Sequence, residues 1–254
     1  MEYNILTSFN KHYWDEVANQ TSKKLDENWY DKGKIFLYHE LDDNFLSIIK
    51  KPYSKRVEWI NLYNTVTELP AWIEKFKDEP KANGFNPKGG INWRTHAIKW
   101  AHKTFPLLYH ARKQKQGWLF WIDTDAECFK KVDDKFIKSI CDERKIVSYL
   151  GRKTNYSECG FLGFNLNHPE TKNFIEMWWN IYPTGDFINI SETHDSWIFD
   201  EMRRRFGKPE LFDDLNASST TDKNPFGFSK IGSHFLHVKG RNKKQHLAKA
   251  KRRI

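Results

Sequence analysis

Five consecutive apolar residues, Trp118–Ile122, constrain this chain more than any other feature. The run has no polar alternation and is too short for a core helix, so it reads as a strand covered on both faces, which occurs where helices flank a parallel or mixed sheet. Two aspartates follow at once, Asp123 and Asp125. Burying an unpaired carboxylate is costly, so acids directly behind a buried strand imply a cationic partner. Ligands of open α/β sheets bind outside the carboxyl ends of the strands, where this pair falls. Residues i and i+2 of an extended chain share a side, so both carboxylates are expected to reach one hard cation, Mg²⁺ or Mn²⁺.

The rest of the chain fits that sheet. Residues 3–9 (YNILTSF) predict a first strand ending in polar residues, and Thr7 and Asn10 are nucleotide-contact candidates from their place at its end. An amphipathic helix over 12–25, a break at Gly33 and a second strand over 34–41 follow. Pro70, Pro80, Pro87 and Gly89-Gly90 mark out a polar stretch that reads as a loop or insertion. Residues 93–112 show helical spacing, with Pro106 expected to kink or end the first part. Later strands are expected at 145–150, 160–166 and 233–238, with helices from Pro169 to about Tyr182 and over 191–206. This alternation predicts an α/β sandwich with a mainly parallel sheet, in one domain over 1–238.

Composition excludes several classes. At 254 residues and 16% aromatic content the chain is neither disordered nor too small for a substantial core. No apolar run approaches the roughly 20 residues of a membrane span, and the start, Met-Glu-Tyr-Asn, lacks the pattern of a secretory leader, so the expected location is the cytoplasm. Cys128, Cys141 and Cys159 have neither disulfide-framework nor zinc spacing. The net charge of +9 resides in a tail: residues 239–254 hold eight Lys or Arg and no acid, leaving 34 bases against 33 acids elsewhere.

With Asp123 and Asp125 at a strand end, the sequence resembles the GT-A glycosyltransferases, whose Asp-x-Asp grips the metal that bridges a nucleotide-sugar diphosphate. A second segment, 237–243 (HVKGRNK), is similar to the His-x-x-Gly-x-x-Lys of the glycogenin-like and lipopolysaccharide galactosyltransferase-like members. Lys244-Gln245 stand where those members have Pro-Trp. The resemblance implies a GT-A-like α/β/α sandwich in which His237 joins the metal and Gly240 admits the diphosphate. It further implies that Lys243 offsets the leaving charge and that Thr124 contacts the donor, a UDP-sugar. Residues 157–161 (SECGF) resemble a donor-sugar loop carrying Glu158, and 194–197 (HDSW) an acidic helix start near the acceptor carrying Asp195. Lys99 and Lys103 resemble basic residues that precede the Asp-x-Asp strand. Transfer is then retaining; if instead Asp195 is a general base, it is inverting.

Two other classes are weighed. A haloacid-dehalogenase-like phosphatase also puts Asp-x-Asp after an apolar strand, but Glu127 stands where it needs Thr or Val, and 237–243 is left unexplained. A non-enzymatic nucleic-acid-binding protein uses the tail and leaves the aspartates idle. Two polyanionic acceptors suit a transferase with such a tail: DNA carrying a hydroxylated base, flipped into an aromatic pocket as in viral genome glycosylation, or a cell-envelope glycan at an anionic membrane. The tail's only large apolar residues are Leu247 and Ile254, which favours nucleic acid.

Overall fold

The computed structural model describes residues 1–218 and 224–237. The chain opens with β1 (Tyr3–Phe9), a helical stretch over 11–28 that ends in α1 (Asn19–Asn28), β2 (Ile35–His39) and β3 (Val57–Asn61). Helices α2 (Glu68–Phe76) and α3 (Ala97–Lys113) lead into β4 (Trp118–Ile122) and β5 (Ala126–Cys128). Then come α4 (Asp134–Ile140), β6 (Val147–Leu150), β7 (Glu158–Asn165), α5 (Pro169–Thr184), α6 (Asp195–Phe206), β8 (Phe212–Asp214) and β9 (Phe235–His237).

Seven strands form one sheet in the order β3-β2-β1-β4-β7-β6-β8. Only the pairings made by β7 are antiparallel, so six strands point one way. Alternation along each strand sorts side chains between two cores. Leu6, Phe36, Tyr38, Leu119 and Trp121 pack under α2, α3, α5 and α6, through Trp72, Phe105, Trp178 and Phe199. Ile5, Leu37, Trp118, Phe120 and Ile122 pack on the other side against Leu25 of α1, Ile137 of α4 and Phe235 of β9. Burial of β4 on both faces follows: none of its five residues exceeds 2% exposure.

Four local expectations are revised. The polar stretch before α3 contains α2, because Leu69 and Trp72 form an apolar stripe and Pro70 sits in the first turn, where its missing N–H is harmless. The helix expected over 191–206 starts at Asp195 rather than Ser191, with His194 as its cap: Nδ1 accepts from Trp197 N at 3.3 Å. The last strand, β9, lies outside the main sheet, paired antiparallel with β5. Pro106 does not interrupt α3. A proline takes away the donor for the carbonyl four residues back, which here belongs to His102. Ser8 Oγ replaces it at 2.8 Å, tying α3 to the end of β1.

Candidate active site

From β1 the chain winds through β2 and β3 on one side, while β4 lies on the other. The carboxyl ends of β1 and β4 therefore diverge at a topological switch, where α/β sheets leave a crevice. A cavity of about 620 Å³ opens there, lined by Ser8, Phe9 and Asn10 after β1, by Asp123, Thr124 and Asp125 after β4, and by the start of α6.

The acids converge by a turn, not by the extended geometry expected from their spacing. Ala126 N donates to Asp123 O at 2.9 Å, so the chain folds back at Thr124 and enters β5. Because β9 pairs with β5 and sets His237 opposite Ala126, the imidazole arrives beside Asp125. His237 Nε2 lies 3.0 Å from Asp125 Oδ1. One ligand atom from each of Asp123, Asp125 and His237 falls within 4.8 Å of the others. Burial works against the charge of His237, but Asp125, Glu158 and Asp123 outweigh it and hold its pKa above the ordinary value. Gly160 makes room for this ring: a Cβ there would stand 3.1 Å from His237 Cε1 and 2.9 Å from the Phe226 ring.

Outer contacts fix the carboxylates. Asp123 Oδ1 accepts from Lys103 Nζ and from Trp121 Nε1, each at 2.7 Å. Lys103 also meets Asp195 Oδ2 at 2.7 Å and donates to Cys159 O at 2.6 Å. Its burial opposes the charge, yet the two aspartates raise its pKa and keep it an ammonium. Asp123 is pushed upward, first by burial and then by Asp125, against the pull of Lys103 and His237. Glu158 Oε2 accepts from Arg152 Nη2 at 2.5 Å, and its Oε1 lies 3.9 Å from His237 Nδ1.

These residues fit a divalent ion. Two carboxylates and one imidazole are a donor set for Mg²⁺ or Mn²⁺, and three protein ligands leave coordination positions for phosphate oxygens and water. The buried Nδ1 of His237 has no hydrogen-bond partner, and the buried Thr124 Oγ1, between the aspartates, has none either. Polar atoms left that way inside a cavity are ready for a ligand.

The same architecture occurs in known structures. Apo mouse xyloside xylosyltransferase 1 matches with a TM-score of 0.53 and 12% identity over 96% of both chains. Galactosyltransferase LgtC, solved with donor and acceptor sugar analogues, matches at 0.54 and 10% identity over 94% of this chain and 87% of its own. The glycosyltransferase GlyE of Streptococcus pneumoniae TIGR4 matches at 0.55 and 12% identity, over 96% of this chain and 56% of GlyE. The fold is that of the GT-A glycosyltransferases. No protein-family model and no curated protein matches the sequence.

On this GT-A frame the expected site residues divide into three groups. Asp123, Thr124, Asp125, His237, Lys103, Glu158, Asp195 and Asn10 all line the cavity. Asn10 also caps the helical stretch after β1, accepting from Tyr13 N at 2.9 Å. Lys99 lines the cavity too, with Nζ 5.0 Å from the centre of the Trp100 ring. Thr7 is buried within β1 and does not line the cavity, whereas its neighbour Ser8 does. Gly240, Lys243 and the basic tail lie outside the described residues. Sequence reasoning missed Arg152, although it follows the end of β6 and the strand-end rule that found Asp123 could have found it. It also missed Trp93, Trp100 and Tyr156, whose rings lie 5.2, 6.2 and 4.4 Å from that of His194 at the mouth. Their loop and helix-start positions carry no motif.

Proposed function

We propose that this chain is a metal-dependent glycosyltransferase that moves a sugar from a nucleoside-diphosphate donor, a UDP-sugar, to a hydroxyl group on a base of DNA. The observation that carries the reading is the gathering of Asp123, Asp125 and His237, remote in sequence, at the switch point of a glycosyltransferase fold. Asp123, Asp125 and His237 would hold Mn²⁺ or Mg²⁺, which when bound offsets the charge that develops on the departing nucleoside diphosphate. Thr124 donates its unused hydroxyl to a donor oxygen. Lys103 and Trp121 keep Asp123 in one orientation, as outer-shell partners of metal ligands do.

Asp195 is ion-paired with Lys103, which supports a role in positioning the donor sugar over one as a free base, and Glu158, gripped by Arg152, faces the same space. The expected product therefore retains the donor's anomeric configuration, and an inverted anomeric coupling by proton NMR would reassign Asp195 as a base. The DNA reading is supported by the basic tail and by aromatic side chains at the cavity mouth, able to stack on an extruded base. Incubation with UDP-sugars and Mn²⁺ tests the whole: UDP release, stopped by EDTA, and a hexose or pentose mass increment on hydroxymethylated oligonucleotide are expected. Phosphate release from a simple phosphoester, with no donor turnover, sinks it.

A further inference from the structure

Between Glu79 and Asp123 the chain contains eight Lys or Arg and no acid. Its residues Trp93, Lys99, Trp100, His102 and Lys103 line one side of the cavity, while Arg112, Lys113 and Lys115 lie at the far end of α3. Phe85 and Ile91 form an isolated antiparallel bridge that closes a small loop. Its tip is Asn86-Pro87-Lys88-Gly89-Gly90, in which Gly89 and Gly90 have φ of 89° and 75° and a Cβ on either would meet nothing within 4 Å. Large apolar side chains stand out at the neck: Phe85 is 61% exposed, Ile91 67% and Trp93 43%. Trp93, Lys99 and Trp100 continue from the neck into the cavity lining. Such clustered apolar exposure marks an interaction surface.

The order of residues along the loop identifies the partner. A loop that enters a bilayer carries its apolar residues at the tip and its cations behind, nearer the headgroups. Here Lys88 and bare glycine backbone form the tip and the apolar pair lies behind, at the neck, from which Trp93 continues into the cavity lining. That order suits a strand whose outer edge is phosphate and whose inner edge is stacked bases. Proteins that extrude a base fill or wedge the disrupted stack with apolar side chains and hold the backbone with cations.

We propose that residues 85–93 are a nucleic-acid docking element, an inference that rests on the reading of DNA as the acceptor. Lys88 meets phosphates of the target strand. Phe85 and Ile91 pack against the bases that flank the one turned into the cavity.

Fluorescence anisotropy with the full chain, a labelled duplex bearing one central mismatch and its matched counterpart, in a salt series, tests this. Phe85→Ser combined with Ile91→Ser should lower affinity for the mismatched duplex by about 10-fold, erasing its advantage over the matched one, with the salt slope kept. Lys88→Glu should weaken both duplexes and flatten the salt slope by about one phosphate contact. All three sites are exposed, and circular dichroism with melting establishes that each variant is folded. Wild-type affinity in the folded double variant overturns the proposal, as does a wild type that binds neither duplex. Pelleting with phosphatidylserine vesicles that only the double variant loses, at unchanged oligonucleotide affinity, also overturns it, in favour of a membrane. Release of UDP from the donor is read in parallel: if it persists without duplex binding, the docking element fails and sugar transfer stands. If it too is absent, the underlying reading fails.

Discussion

At the residue scale, the site depends on Lys103, which satisfies Asp123 and Asp195 together from a nearly buried position. Removing one partner of a buried charge pair costs about 3–5 kcal/mol because the other charge stays behind. Lys103→Met should therefore lower stability by that order in urea titrations and abolish donor turnover. Asp125→Asn keeps the shape but removes a charged ligand, and should weaken Mn²⁺ by at least about 100-fold in isothermal calorimetry. Unchanged Mn²⁺ affinity in that variant would remove Asp125 from the metal site. The aspartates were legible because buried apolar residues run straight into them, and His237 because of the motif it opens. Lys103 was legible only as one of two basic residues on a helix face. Nothing in the sequence separated it from Lys99, since the difference is which of them the packing of α3 on β1 aims inward.

At the element scale, α3 carries the most consequence. The bond from Ser8 Oγ to the His102 carbonyl both repairs the gap left by Pro106 and sets the height of Lys103 over the strand ends. Ser8→Ala leaves that carbonyl without its partner, which costs about 1–3 kcal/mol. Donor turnover should fall with it, because Lys103 follows His102 directly; full turnover with normal stability would show that the contact positions nothing. α2 is anchored by Trp72, which packs on Phe105, Tyr182 and Phe187 and donates from Nε1 to Tyr182 O at 2.9 Å. Trp72→Ala should destabilise by about 3–5 kcal/mol in a urea melt. Elements with an unbroken apolar run or a long helical span, such as β4 and α5, were readable from the order of residues alone. α2 was hidden by its proline, Pro70, and β8 by its three residues. The pairing of β9 with β5 is a tertiary contact that no local pattern encodes.

At the scale of the whole molecule, pH and metal act on the same equilibrium between folded and unfolded chains. His110 of α3 packs on Phe36 with ring centroids 4.0 Å apart and lies 3.0 Å from Tyr38 OH. Burial pushes its pKa down from 6.5 to about 4. Below pH 6.5 the unfolded chain therefore takes up a proton that the folded chain refuses. Stability contributed by the neutral ring is present above pH 6.5 and is lost as pH falls toward 4, by about 2 kcal/mol at pH 5. His110→Gln should show a smaller drop in urea midpoint between pH 7 and pH 5 than the parent; equal drops would mean that the ring is not protected. An ion held at 100 times its dissociation constant should add about 2.7 kcal/mol, visible as a Mn²⁺-dependent rise in melting temperature. The placement of His237 on β9 gives that linkage a direction along the chain. Whatever fills the space between the imidazole and the two carboxylates also acts as a padlock on the stretch 224–237. Mn²⁺ and donor should shield that stretch from trypsin, and a cut that frees it should in turn release the ion.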